Sequence, residues 1–575
     1  MLRSTLALAL ALCLAPLAAS AQPVVVSASP AAHAIAADRS APVEVVFDRT
    51  LDPATVTAAT VRVFGRWSGP AAGTLSVDGA TLRFVPDAPF FAGEAVTVAL
   101  SRGIRDGDGA ALATGFAWGF WASAAPASLA ITEVGQMSTR RPGEGSIISY
   151  GAYAGDLNDD GWSDLAIPNE AANDLRVFLN DGAGQYDTFV VHALPNGSVP
   201  STNEGGDFNE DGLVDIAVGN IGNDRVSVML GDGDGGFLDA ASYRAGNSVR
   251  GVCVLDLDGD GHDDIATANR SASNVTLLRG LGDGTFRPPT VIETGADGET
   301  ACAAADANGD GITDLFVGAV NSGEIVLLLG DGAGGLAVAA TVEAETSPWM
   351  LAAGDIDGDG AVDVVAAGSF SDNVSVTFGD GAGGLSEPVL YPFGRLSVAI
   401  DLGDLDGDGD LDMLASNYSS RNFHLYENHG AGAFADPVAF SVSGNGSCAV
   451  FHDRDNDGDL DVTGIDEGDD RLYFYENPGA TTNAEATPAA DFSVALFPNP
   501  THESATVRFA VATPSDVLVR VFDARGRLVE TLVDGRRAAG EHTLALSTRG
   551  LASGSYVVRV ETASGTVSRM LTLTR

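Results

Sequence analysis

The sequence predicts an all-β chain in which a seven-bladed β-propeller is flanked by two small β-sandwich domains. Three observations carry this. A nine-residue acidic pattern recurs seven times at intervals of 51, 49, 50, 49, 49 and 49 residues, and a fixed period of that length marks a repeat architecture. Inside each period four short apolar runs, rich in Val, Leu, Ile and Phe, are bounded by Gly, Asn and Asp, which is the signature of strands. The stretches outside the repeats alternate apolar and polar residues without the acidic pattern. Four strands per repeat, seven times over, fit the blades of a propeller better than an open β-solenoid, whose repeats are usually shorter.

The acidic pattern begins at Asp156 (DLNDDGWSD), Asp207 (DFNEDGLVD), Asp256 (DLDGDGHDD), Asp306 (DANGDGITD), Asp355 (DIDGDGAVD), Asp404 (DLDGDGDLD) and Asp453 (DRDNDGDLD). Every copy has Asp at positions 1, 5 and 9 and Gly at position 6, while position 3 is Asp or Asn. Like charges so close together repel, and a turn chosen only for solubility has no reason to keep this register. A hard cation explains it: calcium takes about six to eight oxygens, and a short loop supplies them from alternate side chains and a backbone carbonyl around a glycine turn. Magnesium, which keeps its waters, fits less well.

The ligand set expected from this spacing has four members in each loop. It comprises Asp156, Asn158, Asp160 and Asp164 in the first, Asp207, Asn209, Asp211 and Asp215 in the second, and Asp256, Asp258, Asp260 and Asp264 in the third. The fourth and fifth loops supply Asp306, Asn308, Asp310 and Asp314, then Asp355, Asp357, Asp359 and Asp363. The sixth and seventh supply Asp404, Asp406, Asp408 and Asp412, then Asp453, Asp455, Asp457 and Asp461. Up to seven calcium ions are expected, and no other cofactor.

Within a repeat the order is constant. In the sixth, SVAIDLG leads into the acidic loop, LDMLASNY follows it, NFHLYEN comes after a polar turn, and ADPVAFSV after a Gly-rich turn. The Gly-rich turns (GDGDGGF, GDGAGGL, NHGAGAF) join strand to strand, so they read as hairpins needing positive φ and not as phosphate cradles, which require a helix N-terminus. The seventh repeat stops at LYFYENPG, one strand short. Residues 129–134 (LAITEV) precede the first repeat and have the form of the missing run. They are expected to pair beside residues 471–476, closing the ring and removing an exposed edge.

Residues 1–21 read as a secretory signal, with Arg3, an apolar run from Leu6 to Leu17 and a small-residue cleavage site before Gln22. That run is too short to span a bilayer, and no later stretch qualifies. Residues 22–123 carry alternating runs (VEVVFD, TVRVFG, TLRFVP, AVTVAL) expected to form a small antiparallel sandwich. The propeller is expected over 124–478, a small-residue linker over 479–490, and a second sandwich over 491–575. Cys253, Cys302 and Cys448 lie just before acidic loops. Neighbouring first strands are expected to lie too far apart to bridge the first two, and an odd count suits buried free thiols.

The net charge of −47 disfavours nucleic acid, which needs a basic footprint. All 31 basic residues are Arg, which removes Schiff-base and lysine-base catalysis.

Copies such as GDFNEDGLVDIAVGN and GDIDGDGAVDVVAAG resemble the FG-GAP and VCBS repeat families over about residues 128–478. The resemblance implies an integrin α-like propeller with structural calcium between the first and second strands of each blade. The integrin inserted ligand-binding domain has no counterpart. Residues 23–123 resemble a bacterial Ig-like domain, making that sandwich Ig-like. FPNPT (497–501), VRVFDARGRLVETL and LASGSYVVRVET resemble the type IX secretion C-terminal sorting domain, type A. This implies recognition by the type IX secretion machinery, then release or attachment at the outer surface of a Gram-negative, Bacteroidetes-like bacterium.

No histidine of the propeller finds a catalytic partner in the sequence, and no metalloprotease or nucleophile-elbow motif occurs. The reading is a non-enzymatic, monomeric, calcium-binding adhesion module for a glycan or protein. The alternative is a calcium-dependent polysaccharide lyase or hydrolase, which a cleft of Tyr418, Arg421, His424 and Arg395 would favour. Any ligand is expected on the face opposite the acidic loops, where the connections vary between blades and expose Trp349, Tyr418, Arg250, Arg270 and Arg395.

Overall fold

The computed structural model describes residues 22–344, 346–479, 494–497, 501, 504–511, 515–523, 527–538, 540–549, 551, 554–562 and 565–573. The expected signal (1–21) and all but the first residue of the expected linker (479–490) lie outside them. The chain divides into two compact units, Met1–Gly479 and Ala480–Arg575.

Alternating Val, Leu and Ile with small residues, cut by Asp-Gly turns, give strands with two packing faces. In the first unit the repeats form seven four-stranded antiparallel sheets among the described residues. Their first strands are Tyr153–Gly155, Pro200–Gly206, Val249–Leu255, Glu299–Ala305, Pro348–Gly354, Ser397–Gly403 and Gly446–His452. Each packs against the next and the last against the first, so the sheets form a closed ring. Second strands such as Asp215–Asn220 and Asp363–Gly368 are buried along their whole length because a neighbouring blade covers each face.

The seventh sheet is completed from the start of the chain. Thr132–Ser138 pairs with Arg471–Glu476 in the register Ser138↔Arg471 to Thr132↔Glu476. The partner is the one expected, but the strand begins three residues later than the 129–134 run. Residues before it are held otherwise: Ser128 N–H bonds to the Pro478 carbonyl and Leu129 N–H to Asn477 Oδ1. Leu129 itself turns through a φ of 53°, and its side chain, with Ile131, packs against the core beneath the seventh sheet.

Residues 25–121 form two four-stranded sheets closed over Val43, Val45, Leu82, Val96, Val98 and Leu100. This sandwich sits on the acidic-loop face of the ring. Trp67 N–H and Ser68 N–H donate to the buried Glu94 carboxylate, at 2.9 Å each. The Trp67 ring, 1% exposed, enters the propeller core beside Leu165, Phe178 and Leu460. Trp67→Ala should cost about 3–5 kcal/mol, as other large-to-small core changes do. A melting curve in which this domain loosens before the propeller would check it, and an unchanged curve would contradict the docking.

The second unit has a three-stranded and a four-stranded sheet, with Val507, Phe509, Val519, Val521, Val558 and Val560 in its core.

The seven first strands line an axial channel with a cavity of about 440 Å³. At the acidic-loop end the sandwich closes it with Arg62, Phe64, Arg66, Trp118 and Trp121. Arg66 reaches in to pair with Asp401 at 2.7 Å. Cys253, Cys302 and Cys448 are free and all line this channel. The three thiols are thus unbridged, as expected; burial pushes the Cys253 thiol up, and Cys302 adds to the shift.

Candidate metal centres and ligand face

Each acidic loop joins the first strand of a blade to the second and is organised by its own aspartates. In six loops the first aspartate accepts the N–H of the sixth-position glycine, as Asp306 does from Gly311 at 2.7 Å. In all seven the fifth-position aspartate accepts the N–H of position 7. The glycine is needed because position 6 has a φ of 79° to 98°. Position 4, to which the sequence reading gave no role, is also left-handed, with φ from 57° to 73° at Asp159, Glu210, Gly259, Gly309, Gly358, Gly407 and Asn456. Gly, Asn and Asp, which tolerate that region best, hold six of the seven positions, with Glu210 the exception.

The ninth-position aspartate has a second task. In the first six loops its Oδ2 accepts the N–H of position 2, as Asp412 does from Leu405 at 2.8 Å. In every loop its Oδ1 accepts a backbone N–H sixteen residues on, as Asp412 does from Asn428 at 2.8 Å. It therefore staples the loop to the end of the third strand.

Ligand oxygens converge in Asp256, Asp258 and Asp260, in Asp355, Asp357 and Asp359, in Asp404, Asp406 and Asp412, and in Asp453, Asp455 and Asp457. Where position 3 is Asn, its amide donates to the fifth-position carboxylate at 2.8–3.1 Å. The seventh loop departs from the others. Its second residue is the buried Arg454, set among Asp455, Asp461 and Glu476.

The donor set fits a hard cation. Burial and then neighbouring carboxylates push Asp404 up to about 7. Asp406 rises to about 6 for the same reasons. Asp258 Oδ1, Asp404 Oδ1 and Asp453 Oδ1 are buried without a hydrogen-bond partner among the described residues. Calcium would supply the missing counter-charge, held by side-chain oxygens at positions 1, 3 and 5 with help from position 9.

The Ig-like sandwich rests against several of these loops. Arg62 pairs with Asp263 at 3.0 Å and donates to the Gly261 carbonyl, and Arg102 lies 3.6 Å from Asp258. Main-chain bonds join Asp156 N–H to the Trp67 carbonyl, Ala117 N–H to that of Gly311 and Arg102 N–H to that of Gly259. Just beyond the sandwich, Ala125 N–H bonds to the Gly458 carbonyl and Ala127 N–H to that of Asp406.

The opposite face carries two rings of side chains. Six residues before each loop stand Tyr150, Ser201, Arg250, Thr300, Trp349, Val398 and Ser447. In blades two to seven this residue falls in a break of register in the first strand, a device that re-aims a side chain. Fourteen residues after each loop begins, in the connection between second and third strands, stand Glu170, Ile221, Arg270, Val320, Ser369, Tyr418 and Glu467.

Several of these meet. Trp349 Nε1 donates to the Tyr150 hydroxyl at 2.6 Å, a bond between the fifth and first blades that spans the axis. Arg250 lies 4.8 Å and Arg270 5.0 Å from the Trp349 ring centre. Arg250 also donates to Ser201 Oγ at 3.1 Å and approaches Glu170 at 3.9 Å, and Tyr418 donates to Glu467 at 3.1 Å.

Of the expected ligand-face residues, Trp349, Arg250 and Arg270 thus come together, with Tyr418 joined to the ring through Glu467. Their exposure is only partial, because Trp349 is flanked by guanidiniums and bonded across the axis. Arg395 is exposed and has no side-chain partner in the cluster. Tyr150, Glu170 and Glu467 were missed, although the repeat register singles out their positions.

Burial, then the charge of Glu170, pushes Glu467 up to about 7, with Arg250 opposing and Asp470 adding to the shift. A carboxyl raised this way costs stability above its folded pKa, and the cost fades as pH falls through it. Glu467→Gln should therefore stabilise the fold at about pH 8, by a few kcal/mol at most and visible as a higher melting temperature, and do so less at about pH 5. An equal effect at both would contradict it.

The four-residue cleft considered for an enzyme does not form. His424 lies tilted against Phe393 in the body of the sixth blade, while Tyr418 turns to Glu467. His452 is buried between Ser163 and Thr463, where burial holds its pKa down to about 3.

A closed ring of four-stranded sheets with acidic first connections defines a repeat propeller carrying an N-terminal sandwich. The FG-GAP-like repeat family matches residues 156–218, 207–267, 256–317, 306–366, 355–415 and 404–462, and the chain belongs to it. The bacterial Ig-like domain family matches 19–121, and the secretion system C-terminal sorting domain family matches 495–573. The chain is thus marked for export by type IX secretion. No helix among the described residues is long and apolar enough to cross a membrane.

No curated protein matches the chain. Among solved structures it is similar to a putative 6-phosphogluconolactonase from Bacteroides uniformis ATCC 8492, at 12% identity, covering 68% of this chain and 98% of that one, with a TM-score of 0.40. It is also similar to a periplasmic gluconolactonase from Pseudomonas aeruginosa, at 15% identity, covering 64% and 94%, with a TM-score of 0.37. A functionally unknown protein from Desulfotomaculum acetoxidans DSM 771 is 10% identical, covering 65% and 96%, with a TM-score of 0.37. At these scores the likenesses decide nothing about activity.

Proposed function

We propose that this exported propeller is a binding module whose calcium-loaded loops brace the scaffold and whose opposite face takes an extracellular glycan or protein. The observation that carries the reading is the division between the faces. Chemistry is constant in the acidic loops, several of which seat the Ig-like domain, whereas it changes from blade to blade in the two rings on the far side. Variable side chains on a rigid frame are where recognition usually resides. The scattered histidines and the absent four-residue cleft favour binding over catalysis.

A glycan and extracellular-protein array in calcium buffer, with reducing-end release assayed on the hits, tests this. Ligands found should lose affinity on Tyr418→Ala, with the calcium-dependent melting temperature unchanged. Binding that responds only to changes in the acidic loops would place the ligand on the wrong side for this reading. Release of reducing ends would favour the lyase or hydrolase.

A further inference from the structure

We infer that the ligand of this face is an anionic saccharide, whose carboxylate is received by the arginine pair Arg250 and Arg270 of the third blade. The inference rests on the binding-face reading above and names its ligand class.

The two guanidiniums come from different rings, one from the break in the first strand and one from the second-to-third connection. Both lie within about 5 Å of the same indole. Neither is fully spent. Arg250 Nε is buried without a hydrogen-bond partner among the described residues, and Arg250's contact with Glu170 is a long 3.9 Å. Arg270 forms no ion pair among the described residues, and burial together with the charge of Arg250 holds its pKa down. In a chain of net charge −47, two guanidiniums brought to the same indole, with only the long Glu170 contact between them, form a receptor for an oxyanion.

The surroundings suit a sugar ring better than a bare ion. Glu467 and Glu170 stand nearby as acceptors and Tyr418 as a hydroxyl, so a ligand with several hydroxyl groups beside its carboxylate could satisfy both sets.

The test is calorimetric titration of the full chain, in calcium buffer, with oligogalacturonate, a neutral galactose oligomer of the same length and inorganic sulfate. Oligogalacturonate should bind at least tenfold more tightly than either control and weaken as salt rises. Arg270→Gln should cost it at least tenfold in affinity while leaving the melting temperature unchanged. Three results would overturn the inference: equal affinity for the neutral oligomer, sulfate binding as tightly as the uronate, or indifference to Arg270→Gln. A neutral glycan or protein that binds and responds to Tyr418→Ala but not to Arg270→Gln would sink the anion assignment and leave the face assignment standing. If no ligand responds to either change, both fail.

Discussion

Chelating calcium from the full chain should lower its melting temperature by on the order of 10 °C or more, because several sites each contribute ligand linkage of about 2.7 kcal/mol at a hundredfold excess over Kd. Each emptied loop leaves crowded carboxylates with mutual repulsion and no counter-charge, as at the buried Asp404 and half-buried Asp406, both pushed up in part by the charge of Asp408. The same loops seat the Ig-like domain through the carbonyls of Gly259, Gly311 and Gly458 and their neighbours. Chelation should therefore also loosen that domain and unplug the channel.

The thiols of Cys253, Cys302 and Cys448 line the channel and report on this. Their labelling should accelerate many-fold in chelator, at temperatures where the β-sheet circular dichroism is retained. Asp355→Ala and Asp408→Ala should each reproduce part of the effect, since each disables one loop. Thiols that label at the same slow rate with and without chelator, alongside a fixed melting curve, would contradict it.

The second large effect is expected at the ring closure. Thr132–Ser138 is the outermost strand of the seventh sheet, so only one of its edges is bonded. A single proline whose missing N–H faced solvent would be tolerated there. In the double change Gln136→Pro/Met137→Pro the two N–H groups point in opposite directions, so one ladder donor is lost whichever faces Tyr473 and Leu472. The cost should be about 1–3 kcal/mol, that of a lost ladder bond and its unpaired acceptor. It should also uncover the edge of RLYFYE (471–476), whose Tyr and Phe side chains favour pairing with a second copy. Light scattering after size exclusion should show a larger share of dimers and higher species than the parent chain gives. A monomeric variant with parental melting would mean that the closure contributes little.

Much of this was legible because the acidic loops are under tight local constraint. Position 6 must turn left-handed and positions 1 and 5 must cap backbone N–H groups, so residue identity repeats and the period shows. The ring closure was legible from a missing strand, but its start was not. The bends at Ser128 and Leu129 depend on Pro478 and Asn477, almost 350 residues away.

The two rings on the far face were hidden for the opposite reason. The backbone fixes their positions, six before and fourteen after each loop start, while the side chains there are free to differ. Trp349, Arg250, Arg270 and Tyr418 stood out by residue type alone, and Tyr150, Glu170 and Glu467 did not. The seating of the Ig-like domain on the acidic-loop face had no sequence signal, because Arg62, Arg66 and Arg102 look like ordinary surface arginines until their partners are seen.

The central claim, that the seven acidic loops are cation sites holding the scaffold, is tested most directly by counting calcium. The full chain, stripped with chelator and dialysed against calcium, should retain several ions per chain, up to the seven its loops provide. The Asp404→Asn/Asp408→Asn variant should retain one fewer. A chain that returns from dialysis with no calcium above the buffer level, or a count that the double variant leaves unchanged, would contradict the account.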